Sequence, residues 1–469
     1  MSSFRGRPRL PEQGIKATLC GGNTIGGTIR EREARADGYR HIDTPALVRR
    51  LLELNVNTYL YGVWDSPTDW DDLRDEFLPA AAEAGIDVIP YIVPPSETTE
   101  NGRASRPFMT DYVAWAQAIA ELSVRYPNLV SWAIDDFEIG DNALLFTPDY
   151  MEQIKRAQAE VNPDLGFYTC AYIRSATDSA FLDKYGPYID GIIYPYLDGR
   201  SENTTITSSL RECIDEIRSH TEPRGLQLVL LIYTGRFLDA PLPPTEDYVR
   251  DTVSEGVRLA AEGTIAGVVA YGTQQDGASA PATDNRAMYG AGRLALFASR
   301  KRVAPGQQAR CVQTVRVDPR SPRYELSFWF RREFVTDNLK PGDYRLQVAV
   351  DDHTVWDFDV VEQPQNLWLQ GDAYQGPIDI TTAVAGKESV QLTFRLVSTS
   401  QTDHAFVDVG IDNIETVGLH VVDPGFEETG TWQVHSEGSM VATIDIFAPD
   451  RPQRILSALR DVFAADRRP

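Results

Sequence analysis

The sequence predicts an α/β protein: a (β/α)8 TIM barrel over residues 1–303, an all-β sandwich over 304–450 and a C-terminal helix over 451–469. Three observations support this. Short apolar segments alternate with longer amphipathic ones eight times before residue 303. Those segments are continuously apolar, as parallel strands covered on both faces should be. Past KRVAPG (301–306) the pattern becomes short, β-branched and aromatic runs divided by turns.

The eight strand candidates are IKATLCGG (15–22), NTYLYGVW (57–64), DVIPYIVP (87–94), LVSWAIDDF (129–137), GFYTCAYI (166–173), GIIYPYL (191–197), LQLVLLIYTG (226–235) and AGVVAYGT (266–273). The segments between them read as helices. DWDDLRDEFLPAAAEAG (69–85) has acids in its first turn and Gly85 past its end. The helix over 107–127 starts and stops at proline. TPDYMEQIKRAQAEVNP (147–163) opens on a Thr cap with proline next, and 244–263 ends in glycine. Eight such units in about 290 residues match a barrel, which needs about 250 plus insertions. The competing reading is an open doubly wound sheet, but no GxGxxG opens a helix.

The strands expected in the sandwich are 323–330, 344–352, 354–360, 389–397 and 405–412, with Lys340-Pro341-Gly342-Asp343 as a turn. PQRILSALRDVFAA (452–465) carries apolar residues at helical spacing.

Formal net charge is −23. That argues against nucleic acid or an anionic membrane as partner, because each needs a cationic face. No apolar run approaches the roughly 18 residues of a membrane span. The opening MSSFRGRPRLPEQG is basic but has no apolar core, unlike a secretory signal. The four cysteines are scattered and form no CxxC pair. Together these features suggest a cytoplasmic protein with reduced thiols.

The chemistry concentrates on VSWAIDDFE (130–138), an apolar strand that ends in three acids. In such a barrel the carboxyl ends of the strands form the active site. Alternation should send Asp136 and Glu138 one way and Asp135 the other, with about 6.6 Å between alternate residues. Carboxylates that close repel, so one should be raised into the range of a proton donor. The bland alternative is that the acids cap the next helix or pair with arginines.

Other strand ends are rich in groups suited to sugars. They carry Asn23, Tyr61, Trp64, Asp65, Tyr91, Tyr172, Arg174, Tyr196, Asp198, Tyr233, Arg236, Tyr271, Gln274 and Gln275. Aromatic rings stack on the apolar faces of sugar rings, while acids and amides bind hydroxyls. Any one of the tyrosines alone would more simply be core packing. None of the six histidines falls on a strand end, and there is no GxSxG or P-loop. That leaves carboxylate chemistry, with no metal and no organic cofactor expected.

Several of these strand ends together resemble chitinase-like family-18 glycoside hydrolases. That family's fourth strand ends DxDxE, and SWAIDDFE places Asp136 and Glu138 on its last two acids. Its sixth strand carries MxYD, matched by Tyr194 in IIYPY. Its seventh often reads PxYGR, matched by Tyr233, Gly235 and Arg236. Its eighth ends in Trp, near which Tyr271 lies. The resemblance implies that Asp136 orients or attacks, Glu138 is the acid/base and Tyr194 steadies the transition state. The family's first Asp is Ile134 here, the Asp after the Tyr is Pro195, and Asp135 fills a usually apolar position. A working pair of Asp135 and Asp136 therefore stays open.

The sandwich resembles carbohydrate-binding modules through DPGFEETGTWQVHSE (423–437). Trp329, Trp356 and Trp368 are its candidate platforms, or else core residues. The expected activity is hydrolysis, or transfer, at a glycosidic bond of an oligo- or polysaccharide. The alternative is a catalytically inactive glycan-binding protein on the same scaffold.

Overall fold

The computed structural model describes residues 15–21, 28–99, 103–196, 207–235, 242–298, 302–334, 339–362, 365, 368, 373–403 and 405–465. All eight expected strands form: β1 (Ile15–Gly21), β2 (Thr58–Gly62), β3 (Asp87–Ile92), β4 (Ser131–Ile134), β5 (Gly166–Cys170), β6 (Gly191–Pro195), β7 (Gln227–Tyr233) and β8 (Gly267–Tyr271). Each pairs in parallel with the next, and β8 pairs back onto β1, closing the barrel.

Side-chain alternation divides the strands into two apolar layers. Leu60, Ile89, Tyr91, Ala133, Tyr168, Cys170, Ile193, Leu231, Tyr233, Val269 and Tyr271 fill the barrel interior. Tyr59, Tyr61, Trp132, Ile134, Phe167, Ile192, Tyr194 and Tyr196 face the helices instead. Gly191 has a specific reason to be glycine: a Cβ there would lie 2.5 Å from the Tyr168 ring, which needs that space inside the barrel.

The expected helices form with side-chain caps. Asp111, Thr147 and Thr245 accept the backbone N–H of Ala114, Tyr150 and Tyr248. The predicted helix over 69–85 is a composite, with a π turn at Leu73–Phe77 between Asp69–Asp72 and Leu78–Glu83. Pro79 has no N–H for the preceding turn, and the Leu78 N–H reaches back five residues to the Leu73 carbonyl.

Two domain boundaries differ from the sequence reading. Gly292–Ala298, expected inside the 1–303 barrel, is β9 of the sandwich and pairs with β16 (Val407–Val417) and β19 (Met440–Ile446). Its Arg293 is fully buried and ion-paired to Asp408 at 3.4 Å and Asp445 at 3.3 Å, both on those neighbours. A buried guanidinium needs such partners. The terminal helix, Arg451–Ala465, is not a separate appendage. Ile455, Leu456, Leu459, Val462 and Phe463 join the core between strands and helices. Helix Glu246–Ala261 lies on one side of it. On the other side the Arg460 carbonyl accepts from Asn55, just past helix Thr44–Glu53. It fills the place of the eighth barrel helix, so the sandwich is inserted between β8 and its helix.

The sandwich has two antiparallel sheets. One runs β13 (His353–Asp359), β12 (Tyr344–Val350), β15 (Ser389–Ser398), β10 (Gln308–Val317) and β17 (Leu419–His420), with β18 (Gln433–His435) also on β10. The other runs β14 (Tyr374–Asp379), β11 (Glu325–Phe334), β16, β9 and β19. Phe426 and Trp432 of the GFE…W stretch are buried 5.1 Å apart and serve the core. Trp356 packs on Phe328 and Phe358 against that core, and the Trp368 indole donates to the Arg286 carbonyl. Trp329 is half-buried, 5.2 Å from the exposed Tyr374 ring. Among the described residues, no helix is long and apolar enough to cross a membrane.

Candidate active site

Strand β4 ends at Ile134, and the chain turns sharply through the acids. Asp136 sits at φ +35°, a conformation L residues other than Asn and Asp rarely adopt. Its carbonyl is held by Asn142 Nδ2 at 2.9 Å, and Asn142 Oδ1 in turn accepts the Ser96 N–H at 2.8 Å. The turn breaks the strand alternation, so Asp135 and Asp136 converge rather than diverge. Their carboxylate oxygens and Cys170 Sγ lie within 4.8 Å of one another.

Asp135 belongs to the barrel interior and is buried. Its Oδ1 accepts the Tyr91 hydroxyl at 2.5 Å and the Asp136 N–H at 3.1 Å, and its Oδ2 accepts Arg103 at 3.3 Å. Burial and the neighbouring Asp136 charge raise this carboxyl to about 6, against the opposing pull of Arg103 and Tyr91. It is held as the stronger acid of the two aspartates.

Asp136 Oδ1 accepts the Tyr172 hydroxyl at 2.9 Å and lies 4.0 Å from Cys170 Sγ. Burial, then the Glu97 charge and a hydrogen bond shared with Glu97, raise it to about 7. Glu97 is itself raised by burial and the Asp135 charge, though Arg103 opposes this. Like charges on neighbouring carboxyls favour keeping a proton in the pair. Glu138 Oε1 accepts the Tyr172 N–H at 2.9 Å, while Oε2 is buried with no hydrogen-bond partner. Burial raises Glu138 to about 8.

Arg103 organises one side. It pairs with both Glu97 and Asp135, and its guanidinium lies 4.5 Å over the buried Trp64 ring, which packs 5.3 Å from Tyr91. Tyr233 and Tyr271 form an edge-to-face pair 5.1 Å apart on the opposite strands.

The structure thus brings together Asp135, Asp136, Glu138, Trp64, Tyr91, Tyr172, Tyr233 and Tyr271. Asp65 follows Trp64 and is raised to about 6 by burial and Asp69. Other expected site residues lie elsewhere. Tyr194, the transition-state tyrosine of the resemblance, points into the helix layer, because on β6 it is Ile193 that faces the interior. Tyr61 and Tyr196 share that outer layer, and Tyr196 is hydrogen-bonded to Ser209 at 2.8 Å. Gln275 is buried as acceptor for the Tyr59 hydroxyl at 3.0 Å, also outside the barrel interior. Gln274 holds Asp276 at 2.7 Å and lines a separate cavity of about 370 Å³ beside Arg451. Arg174 is exposed on helix Ile173–Ala176. Asn23, Asp198 and Arg236 lie outside the described residues.

Sequence reasoning missed Glu97, Arg103 and Cys170. The first two lie on the loop after β3, where charged residues at the carboxyl end of a strand were a usable signal. Cys170 is buried in the interior row of β5, where composition gives no hint.

Two groups have the residue types of a metal site. Asp135, Asp136 and Cys170 form one, but Arg103 already supplies the positive charge at Asp135. His41, Asp72 and Glu76 form the other. There both imidazole nitrogens are engaged, by Asp72 at 2.5 Å and Asp37 at 2.8 Å. Burial opposes protonation of His41, but these two carboxylates hold it above its usual value.

Fold and site define a closed (β/α)8 barrel with a carboxylate cluster at the carboxyl end of β4 and a β-sandwich inserted before its last helix. No family model and no curated protein matches the chain. Among solved structures the chain is similar to a glucosidase from Croceicoccus marinus (12% identity, TM-score 0.37, 82% of this chain and 100% of that one). It is also similar to an endoglucanase from Pseudomonas stutzeri (13%, TM-score 0.37, 56% and 85%). A third is an endo-alpha-mannosidase from Bacteroides thetaiotaomicron (12%, TM-score 0.35, 56% and 84%). These neighbours are glycosidases by name, and none is named as a family-18 enzyme. At such scores they carry no argument about what this chain does.

Proposed function

We propose that this chain is a glycoside hydrolase working through Asp135 and Asp136. The observation that carries the reading is a carboxyl fixed by three donors beside a second carboxyl that its surroundings make the weaker acid of the two. Such a pair, pushed apart in proton affinity by its surroundings, divides the roles of acid and anion.

Asp136 gives its proton to the glycosidic oxygen as that bond breaks. The Asp135 carboxylate bonds to the anomeric carbon. Water, losing its proton to Asp136, then breaks that ester. Carboxylate oxygens within 4.8 Å of one another fall short of the roughly 6.5–9.5 Å of inverting enzymes and suit retention. Tyr172 positions Asp136 and Glu138 together. Trp64, Tyr91 and the Tyr233–Tyr271 pair are buried beneath the acids as the aromatic floor of the site.

The test is release of reducing ends, or of aryl aglycone from a glycoside panel, by the full chain and by Asp136→Asn. Turnover by the wild type that the variant loses supports the reading. Turnover retained by the variant overturns it. Arg103 lies against the would-be nucleophile, and this favours a second reading, glycan binding without catalysis. Saturable oligosaccharide binding with no product over days would establish that reading instead.

A further inference from the structure

We propose that Asn142 is a positioning residue: it ties the loop after β3 to the turn after β4 and so seats Glu97 against Asp136. This rests on the glycoside reading, in which Asp136 is the proton donor, and names what holds that donor in place.

Asn142 opens the short helix Asn142–Leu145, and its side chain is buried. Its Nδ2 donates to the Asp136 carbonyl at 2.9 Å and to Ser96 Oγ at 3.1 Å. Its Oδ1 accepts the Ser96 N–H at 2.8 Å. A backbone N–H can only donate and a carbonyl can only accept, so these two partners fix which way the amide faces. The place requires a donor and an acceptor side by side. Aspartate of the same shape lacks the donors, and leucine lacks both.

Each bond falls on a backbone group that its own segment leaves open. Pro95–Glu97 is a single helical turn whose first residue has no N–H, so the Ser96 N–H is its first orphan donor. The Asp136 carbonyl belongs to a residue at φ +35°, a conformation that persists where its surroundings hold it. Its turn is closed locally by the Ile139 N–H at 3.1 Å.

Glu97 follows Ser96 directly. Its carboxyl pairs with Arg103 and shares a hydrogen bond with Asp136. Asn142 therefore touches the backbone of one carboxyl's own residue and of the residue next to the other's. Around Asp136 stand Glu97 and Arg103 from the β3 loop, and Asp135 and Glu138 from its own turn. Cys170 and Tyr172 face it from β5 and its end, and Tyr233 from β7. After burial, Glu97 does most to keep the proton on Asp136, while Tyr172 and Arg103 oppose it. With the amide removed, Glu97 can part from Asp136, and that proton becomes easier to lose.

The experiment follows the Asp136 carboxyl directly, by isotope-edited NMR of the full chain labelled at its aspartate carboxyl carbons, with Asp136→Asn assigning the resonance. Asn142→Ala should lower the Asp136 titration midpoint by about one pH unit. Glu97→Gln should lower it similarly, and the double variant should go little further, because both changes remove the same contact. Ser96→Ala breaks only the 3.1 Å bond. It should shift the midpoint the same way by less, and it carries the test if Asn142→Ala does not fold. Leu459→Ala, on the terminal helix, controls for lost stability alone and should leave the midpoint in place. On an aryl glycoside the alkaline limb of kcat/KM should move to lower pH with the midpoint. A midpoint that stays or rises overturns the proposal. A lowered midpoint in a chain without turnover would keep it and sink the hydrolase reading. Turnover with an unmoved midpoint would do the reverse.

Discussion

The Tyr91 hydroxyl donates to Asp135 Oδ1 at 2.5 Å, across from the neighbouring strand and inside the barrel. This bond favours the ionised carboxyl in a place where burial opposes it. Tyr91→Phe should therefore move Asp135 further up. The acid limb of the kcat/KM profile should shift to higher pH by about one unit, the worth of one charge-assisted bond. Asp135→Asn should lower kcat by roughly a thousandfold or more with the melting temperature largely kept. An unmoved acid limb in Tyr91→Phe would show that Asp135 does not control it.

Tyr172 and Tyr194 separate the structure from the family resemblance. Tyr172→Phe removes the donor to Asp136 and should reduce kcat/KM by roughly 10–100-fold. Tyr194→Phe alters only the layer between strands and helices, so activity should stay within about threefold. Steady-state kinetics on one aryl glycoside compares them, and a larger loss in Tyr194→Phe would restore the family-18 assignment of roles.

Stability should fall as the medium becomes alkaline. Glu138 and Asp136 have folded values of about 8 and about 7, against ordinary values of 4.5 and 3.8. Between those limits the native state holds more protons than the unfolded chain, so unfolding free energy decreases as pH rises. The contribution is complete below the ordinary values and is lost through the folded ones. It is of the order of a few kcal/mol. Glu138→Gln cannot ionise, so its melting temperature should drop less than the wild type's between about pH 5 and about pH 9. Equal drops in scanning calorimetry would place Glu138 in an ordinary solvated setting.

The terminal helix should behave as barrel core. Leu459 is fully buried against the barrel. Leu459→Ala should cost about 2–5 kcal/mol, read by denaturant unfolding of the full chain. A cost near that of an exposed position would mean the helix is only loosely attached.

The eight strands, their order and the acids at the end of the fourth were legible because both faces of parallel strands are apolar and their ends are not. The Thr caps and prolines of the main helices were legible for similarly local reasons. The convergence of Asp135 and Asp136 was not, because it depends on a left-handed turn that Asn142 and Ser96 hold from outside the motif. Nor was the outward facing of Tyr194: a strand apolar on both sides has no pattern to tell one face from the other.

By itself, then, the sequence determined the architecture, since burial and periodicity act over a few neighbouring residues. Only the tertiary structure decided which side chains meet. It put Glu97 and Arg103 beside the β4 acids, drew β9 into the sandwich and returned the last helix to the barrel. Those outcomes come from contacts between segments far apart in the chain, where charge, burial and closure of the barrel outweigh local preference.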